Sequence, residues 1–373
     1  MPPLVIDIRA ADDSRDVVHR AVQALAEGKL VAFPTETVYG LAASALSEEG
    51  VNRLLEAKQR PTGQPLSLAI KSVDEALDYV PNLSPLGHRL ARRCWPGPVT
   101  LVVDDNHPDS LIKQLPPSVQ QAVAPEGAVG LRVPAHQTIL DVLQMLAGPV
   151  ALSSANRSGG ADALTAQEVV ASLRDDVHLV LDDGRSRFGQ PSSVVRLRDS
   201  GVEILRAGVV SEQTLKRLSS FMVLFVCTGN TCRSPMAELL FRKLLADKQG
   251  CALNQLEDRG FIVMSAGIAA MMGGRPAAEA VEIMAQQGLN LNDHESQPLT
   301  QQLVRQADLI LTMTRSHRQA ILTEWPEAAG RVKALCRDGG DVPDPIGGSP
   351  DHYRRCAAQL QSELDALIAH LQF

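Results

Sequence analysis

The sequence predicts two α/β domains in one chain, and three observations predict them. A chain of 373 residues with 45% hydrophobic content is long enough for two ordinary cores. Strand-like apolar runs alternate with helical patterns along its whole length. A helical stretch at residues 211–218 gives out in Ser219 and Ser220, and Met222 opens a fresh strand. That seam sets domains at 1–218 and 222–373.

Bulk properties narrow the classes. A net charge of −7 does not suggest a dedicated nucleic-acid binder, and 3% aromatics leave little for base stacking. Six cysteines without regular spacing fit reduced thiols and a cytoplasmic protein. The start of the chain has no basic leader pattern, and no apolar run reaches membrane-spanning length, so no membrane partner is expected.

In the first half, residues 28–41 read as an apolar strand running into a polar turn with Thr35, Glu36, Thr37 and Tyr39. Residues 54–58 read as a helix that Pro61 stops, leaving Lys58 and Arg60 beside a constrained turn. Alone, a Lys-x-Arg pair is the ordinary pattern of a solvated surface. Here it has company. The run Trp95-Pro96-Gly97-Pro98-Val99-Thr100 makes a rigid turn into a strand. Arg132 lies within a strand, an expensive place unless an anion or a partner meets it. Residues 150–159 form a strand ending in Ser153-Ser154-Ala155-Asn156. Ser192 and Ser193 open another strand, and Arg206 closes the next before Gly208. Cations and hydroxyls recurring at strand ends suit an anion-binding groove over an open sheet. His136 reads as structural, and the histidines form no ligand cluster, so no metal site is expected.

The elements Pro-Thr-x-Thr-x-Tyr-Gly, Lys-x-Arg-Pro and Ser-Ala-Asn, in this order, resemble the Sua5/YrdC/TsaC family of threonylcarbamoyl-adenylate synthases over roughly residues 4–218. The resemblance implies a YrdC-like open twisted α/β sheet. It implies synthesis of threonylcarbamoyl-AMP and pyrophosphate from L-threonine, bicarbonate and ATP, with Mg²⁺ on the ATP oxygens, as the first step toward t6A in tRNA. It places Thr35 and Thr37 in the threonine and bicarbonate pocket, and Lys58 and Arg60 on the ATP phosphates. Arg132, Ser154, Asn156, Ser192 and Arg206 would line the nucleotide and threonine sites. Two departures stand out. Ser153 replaces the family's usual proline, which is expected to loosen that loop. The chain also looks like the short form, which relies on t6A transfer-complex proteins and meets tRNA indirectly or weakly.

The second half reads as strand 223–226, helix 235–246, strand 261–265, helix 277–287, strand 309–312, helix 315–322, strand 332–335 and helix 353–370. Four such units predict a doubly wound, four-stranded parallel sheet with its active loop after the first strand. That loop is Cys227-Thr228-Gly229-Asn230-Thr231-Cys232-Arg233-Ser234. A thiol at a helix N-terminus meets unpaired N–H groups and a favourable dipole, an environment that lowers a cysteine pKa. The curl returns Arg233 to the same centre, where a guanidinium matches two phosphoryl oxygens. Gly229 is expected to take a positive φ, Asn230 to brace the curl, and Ser234 to donate to the sulfur.

This loop resembles the Cys-x5-Arg-Ser signature of the low-molecular-weight protein tyrosine phosphatases, over residues 222–373. The family needs no cofactor but does need a general acid, and Asp344-Pro345 fits. Asp341, not followed at once by proline, fits less well. Tyrosine-directed members carry a bulky aliphatic residue at Thr231 and a tyrosine at Ile346. The departures resemble the protein arginine phosphatase branch, although pocket differences of this size decide only about 1–3 kcal/mol. Cys232 shares the loop with Cys227: it is a redox candidate if it is exposed and acidic, and equally a small buried residue filling the loop.

Together these features predict a bifunctional cytoplasmic enzyme, synthase first, then a phosphatase acting on phosphoarginine or phosphotyrosine proteins. A competing reading makes the first domain a non-catalytic nucleotide or double-stranded-RNA binding module.

Overall fold

Two separate sheets organise the chain. The computed structural model describes residues 2–60, 63–198 and 201–371, and it divides into the units Met1–Leu218 and Ser219–Phe373.

The first unit is built on ten strands: β1 (Leu4–Asp7), β2 (Val31–Phe33), β3 (Gly40–Ser44), β4 (Ser67–Ala69), β5 (Val99–Asp104), β6 (Ala128–Arg132), β7 (Val150–Ser154), β8 (Leu179–Asp182), β9 (Ser193–Arg198) and β10 (Gly201–Arg206). Their order is β1-β8-β2-β3-β7-β4-β6-β5-β9-β10, a mixed open sheet. Side chains alternate across it. Val31, Phe33 and Ala42 pack against helices Ser14–Ala26 and Gln137–Met145. Leu30, Ala32, Leu41 and Ala43 face the opposite layer, which includes Glu48–Lys58 and Ala166–Leu173. Helices thus cover both faces around β2 and β3, while the face carrying Ser67, Thr100, Gly130 and Val194 is open and lines a cleft.

Register brings distant motifs together there. Gly40 pairs with Ser154 and Leu41 with Ser153, antiparallel. Ala69 pairs with Arg132, and Val99 with Ser193, both parallel. The helix Glu48–Lys58 is longer than the sequence suggested, because Ser47 caps it by accepting from Gly50 N at 3.0 Å. Gln59, in the left-handed region at φ 49°, terminates it. Pro61, the stop expected from sequence, lies outside the described residues.

The second unit holds four parallel strands, β11 (Phe221–Cys227), β12 (Phe261–Gly267), β13 (Leu309–Thr312) and β14 (Val332–Ala334), ordered β12-β11-β13-β14. Val223, Phe225 and Cys227 join one core layer with helices Arg233–Gln249 and Pro350–His370; Met222, Leu224 and Val226 join the other. Phe225 meets Phe241 edge-on, with centroids 5.5 Å apart. The sheet order reverses beside β11, so Cys227 ends the strand at the switch point, where doubly wound sheets bind ligands. Sequence reading missed the helix Gln301–Gln306, which buries only Val304 and so shows no apolar period.

Each unit carries its own core. Separate expression of residues 1–218 and 219–373 is expected to give two proteins with single cooperative denaturant transitions; a non-cooperative profile for either half counts against independent folding.

Candidate active sites

In the first unit a cleft of about 790 Å³ lies over one face of the β4-β6-β5-β9 part of the sheet and reaches the end of β7 beside the start of β3. Thr35, Thr37, Lys58, Arg60, Arg132, Ser154, Asn156, Ser192 and Arg206 all line it. Lys58, the last residue of its helix, is 2% exposed. Its Nζ donates to Ser154 O at 2.6 Å, Ser154 Oγ at 3.2 Å and Asn156 Oδ1 at 3.1 Å. An ammonium has three hydrogens, and all three go to the loop after β7. Lys58 therefore braces that loop and lends its field to the cleft. Burial first, then Arg60, pulls its pKa down to about 8, with Asp162 opposing.

Arg60 donates to Gln64 O at 2.9 Å, Pro65 O at 2.6 Å and Ser153 Oγ at 2.9 Å. Ser153, expected to loosen its loop, instead tethers this guanidinium. Arg206 donates from Nε and Nη2 to Ser192 O at 3.1 and 2.9 Å, and Nη2 reaches Ser192 Oγ at 3.0 Å. Thr100 Oγ1 lies 3.1 Å from the same hydroxyl. Gly208 backs onto this segment: a Cβ there would stand 2.4 Å from Pro191 O. Burial and then Arg206 lower the pKa of Arg60; burial lowers that of Arg206, opposed by Asp162 and reinforced by Arg132. The cleft gathers like charges that repel each other.

The partner that a buried Arg132 requires proves to be Glu36, at 2.7 Å from Nη2. Glu36 also accepts from Ala135 N at 3.0 Å. Arg132 Nη2 donates to Thr37 Oγ1 at 2.9 Å. Thr35 Oγ1 gives its hydrogen to Val38 O at 2.6 Å, so the 2.9 Å contact between the two hydroxyls runs from Thr37 to Thr35. A directional chain from Arg132 through Thr37 to Thr35 results. Glu36 was visible in the sequence only as the residue between the two threonines. The Tyr39 phenol is not presented to the cleft as expected; it is buried and donates to Gly184 O at 2.7 Å.

In the second unit Cys227, Arg233 and Asp344 come together. Ser234 Oγ lies 3.0 Å from Cys227 Sγ, and Asn230 N donates to the sulfur at 3.2 Å. Asn230, not Gly229, takes the positive φ, at 54°; asparagine tolerates that region, and its amide is tied on all sides. Nδ2 donates to Ser234 Oγ at 3.0 Å and Ser265 Oγ at 2.9 Å, while Oδ1 accepts from Gln297 N at 2.9 Å. Ser265 in turn donates to Glu238 at 2.7 Å, and burial pushes the Glu238 carboxyl up. Arg233 pairs with Asp344 and donates to Thr228 Oγ1 at 3.3 Å and Val342 O at 3.2 Å. Asp341 is occupied elsewhere, accepting from Arg315 N at 2.8 Å. Thr231 sits half-buried on the loop, its carbonyl accepting from Ala277 N at 3.0 Å.

Cys232 does not fit the redox description. It is 3% exposed beneath Tyr353, and burial raises its pKa, the opposite of an accessible acidic thiol. Glu238, Ser265 and Gln297 were not found from sequence, because they act through the loop and carry no motif of their own; Thr228 lies within the motif but was given no role.

A cation-lined cleft in the first unit, and a thiol and guanidinium on one loop in the second, define an anion-binding α/β domain followed by a cysteine-dependent phosphatase domain. The Sua5/YciO/YrdC family model, described as telomere recombination, matches residues 23–208, and the low molecular weight phosphotyrosine protein phosphatase model matches residues 222–373. The chain is 35% identical over 194 residues to threonylcarbamoyl-AMP synthase of Pyrococcus abyssi, a match covering 52% of this chain and 54% of that protein. It is 34% identical over 227 residues to the Bos taurus threonylcarbamoyl-AMP synthase, covering 58% and 78%. It is 40% identical over 154 residues to the protein-arginine-phosphatase of Bacillus subtilis, covering 40% and 96%. The chain thus spans about half the length of the Pyrococcus relative. In fold, it is similar to the crystal structure of P. abyssi Sua5 complexed with L-threonine (TM-score 0.52, 23% identity, 71% of this chain and 92% of that one). The chain belongs to both families, the synthase family through its first unit and the low-molecular-weight phosphatase family through its second.

One glycine holds the phosphatase loop in place. A Cβ on Gly267 would stand 2.4 Å from Thr228 O and 2.9 Å from Asn230 N. Gly267→Ala is expected to lower phosphatase kcat/KM by about 10-fold or more and to cost about 1–3 kcal/mol of stability. Steady-state kinetics and denaturant melts of the variant check this.

Proposed function

We propose that the chain is a bifunctional enzyme that makes threonylcarbamoyl-AMP and hydrolyses phosphorylated side chains. For the first activity the carrying observation is the convergence of Arg60, Arg206 and Arg132 on one cleft over Lys58. Their mutual repulsion is relieved by a polyanion, and a nucleoside triphosphate supplies one. L-Threonine's amine takes up bicarbonate, losing water, to give a carbamate. A carbamate oxygen then attacks the α-phosphorus as the bond to pyrophosphate breaks. That chemistry needs positioning and charge neutralisation, not a protein nucleophile. The chain Arg132–Thr37–Thr35 suits the threonine and carbamate, and Arg60 with Arg206 suits the phosphates. Mg²⁺ would enter on the triphosphate's own oxygens: among the described residues no three His, Cys, Asp or Glu side chains form a metal cage. Its chemistry would be to screen the leaving pyrophosphate. The product is destined for t6A transfer to tRNA by partner proteins. A cytoplasmic setting supplies ATP and keeps Cys227 reduced. No helix among the described residues is long and apolar enough to cross a membrane.

For the second activity the carrying observation is the Cys227–Arg233–Asp344 cluster on a loop at a helix N-terminus. Cys227 Sγ attacks phosphorus while Asp344 protonates the leaving group, giving a cysteinyl phosphate. Asp344 then takes a proton from water, which attacks phosphorus and releases the thiol. We favour phosphoarginine over phosphotyrosine. Thr231 is smaller than an aliphatic residue and offers a hydroxyl to a planar, nitrogen-rich leaving group.

The synthase reading predicts threonine- and bicarbonate-dependent pyrophosphate release from ATP, reduced at least about 100-fold in Lys58→Ala. Intact protein that binds ATP without such release supports the binding-module alternative. Because Lys58 is protonated below a pKa of about 8 and a polyanion favours the ammonium, ATP affinity is expected to hold below that pH and fall above it. Calorimetric titration across pH 6.5–9.5, at roughly unit intervals, reads the trend; a flat profile contradicts it.

Thr231→Ile is expected to shift the kcat/KM ratio of phosphoarginine to phosphotyrosine peptides toward phosphotyrosine by about 10-fold. An unchanged ratio removes Thr231 from the specificity argument.

A further inference from the structure

The chemistry just described leaves one buried titratable group beside the phosphatase loop without a role. His317, on the helix Arg315–Glu324, is 4% exposed. Its Nε2 lies 2.9 Å from Thr228 Oγ1, and Thr228 directly follows the nucleophile. Arg233 Nη2 lies 3.3 Å from that same oxygen and also pairs with Asp344. A guanidinium only donates, so Thr228 Oγ1 accepts from Arg233. The hydroxyl's own hydrogen is then the one shared with His317, whose ring receives it with its hydrogen on Nδ1. This tautomer follows from the network.

We propose that His317 is a positioning residue of the phosphatase reaction, fixing the Thr228 hydroxyl and, through it, the Arg233 guanidinium. The inference rests on the phosphatase reading of Cys227, Arg233 and Asp344. When a phosphoryl group enters, Arg233 must turn its donors from Asp344 to two phosphoryl oxygens. A hydroxyl held from behind keeps one edge of the guanidinium fixed during that exchange. Thr228 is itself exposed, so without the ring its hydroxyl is free to rotate toward water.

Two further facts favour this role over packing alone. His317 Nδ1 is buried with no hydrogen-bond partner among the described residues, a standing cost that an apolar side chain would avoid. What the position gains from histidine is the contact at Nε2. The charged groups around the ring are Arg233 on the loop and Asp341 and Asp344 on the facing segment. Burial first, then Arg233, lowers its pKa, against the two carboxylates. The neutral ring, the form able to accept from Thr228, is thereby favoured.

The test uses the full chain, with kcat and KM on a phosphoarginine peptide and inhibition by orthovanadate. His317→Ala is expected to lower kcat/KM about 3–10-fold, mainly through KM, and to weaken vanadate inhibition similarly. His317→Gln, which keeps an acceptor, restores most of the loss. Thr228→Val matches the loss, and adding His317→Ala to it costs nothing further. Independent, multiplying effects, or no effect of His317→Ala, overturn the proposal. If His317→Ala does not fold, Thr228→Val against Thr228→Ser decides: Ser retains activity and Val loses it, and equal activity overturns the relay. Cys227→Ser separates the two failures, since turnover surviving that change sinks the phosphatase reading itself.

Discussion

A guanidinium taken out of water has to be met by an opposite charge, and that constraint shapes both units. The effective penalty is several kcal/mol per buried ion, returned only when geometry and hydrogen bonds are good. Arg132 and Glu36 meet it as a closed pair, with side chains 8% and 6% exposed. Arg233 and Asp344 meet it as an open one: the arginine is 5% exposed, but its carboxylate partner is 39% exposed. The closed pair is part of the framework. The open pair can be exchanged, because Asp344 has solvent to receive it when an incoming anion takes over the guanidinium.

The remaining polar contacts serve to hold these cations still. Lys58 directs all its donors into the loop after β7, so the residues around Ser154 and Asn156 stay fixed under the cleft. Asn230 does the same for the phosphatase loop, where Ser265 links it to the buried Glu238. Backbone contact sets the tolerance. At Gly267 the strand approaches the loop too closely for any side chain, and Gly208 backs onto Ser192 in the same way.

Much of this was legible in the sequence, and the exceptions have physical causes. Strand runs and their helices were readable because period-2 and period-3.6 patterns survive wherever a face is buried. The cleft-lining cations and hydroxyls were readable because they cluster at strand ends beside glycine and proline. Element ends were less so: Ser47 and Gln59 bound their helix through cap geometry that apolar spacing does not encode. Residues that act at one remove were less legible. Glu36 was read as part of the polar turn, but its role is identified only by Arg132 opposite it, 96 positions away, and Glu238 by a serine on another strand. The positive φ was expected at Gly229 and falls on Asn230, because both residues tolerate it and only the loop's hydrogen bonds select asparagine, whose amide braces the curl as expected. Cys232 stood open between an accessible acidic thiol and a buried loop filler, and adjacency to Arg233 could not choose; the helix beginning at Arg233 turns it inward beneath Tyr353.

The contrast between closed and open pairs also bears on why one unit suits a triphosphate and the other a monoester. In the first cleft Arg60 and Arg206 spend donors on backbone carbonyls and neighbouring hydroxyls; among the described residues neither forms a salt bridge, and Asp162 only partly offsets the charge of Arg206. Their charge stays available, and repulsion among several cations makes a long polyanion the natural complement. In the phosphatase loop the single guanidinium is already neutralised by Asp344. An anion there must displace a partner, so binding is gained only by a group that also satisfies the loop N–H groups and the thiol. A tetrahedral phosphoryl group does so, and its arrival releases the Asp344 carboxylate, which takes up a proton before it can serve the leaving group. The ion pair that stabilises the resting loop is thus the same contact whose loss frees the proposed acid.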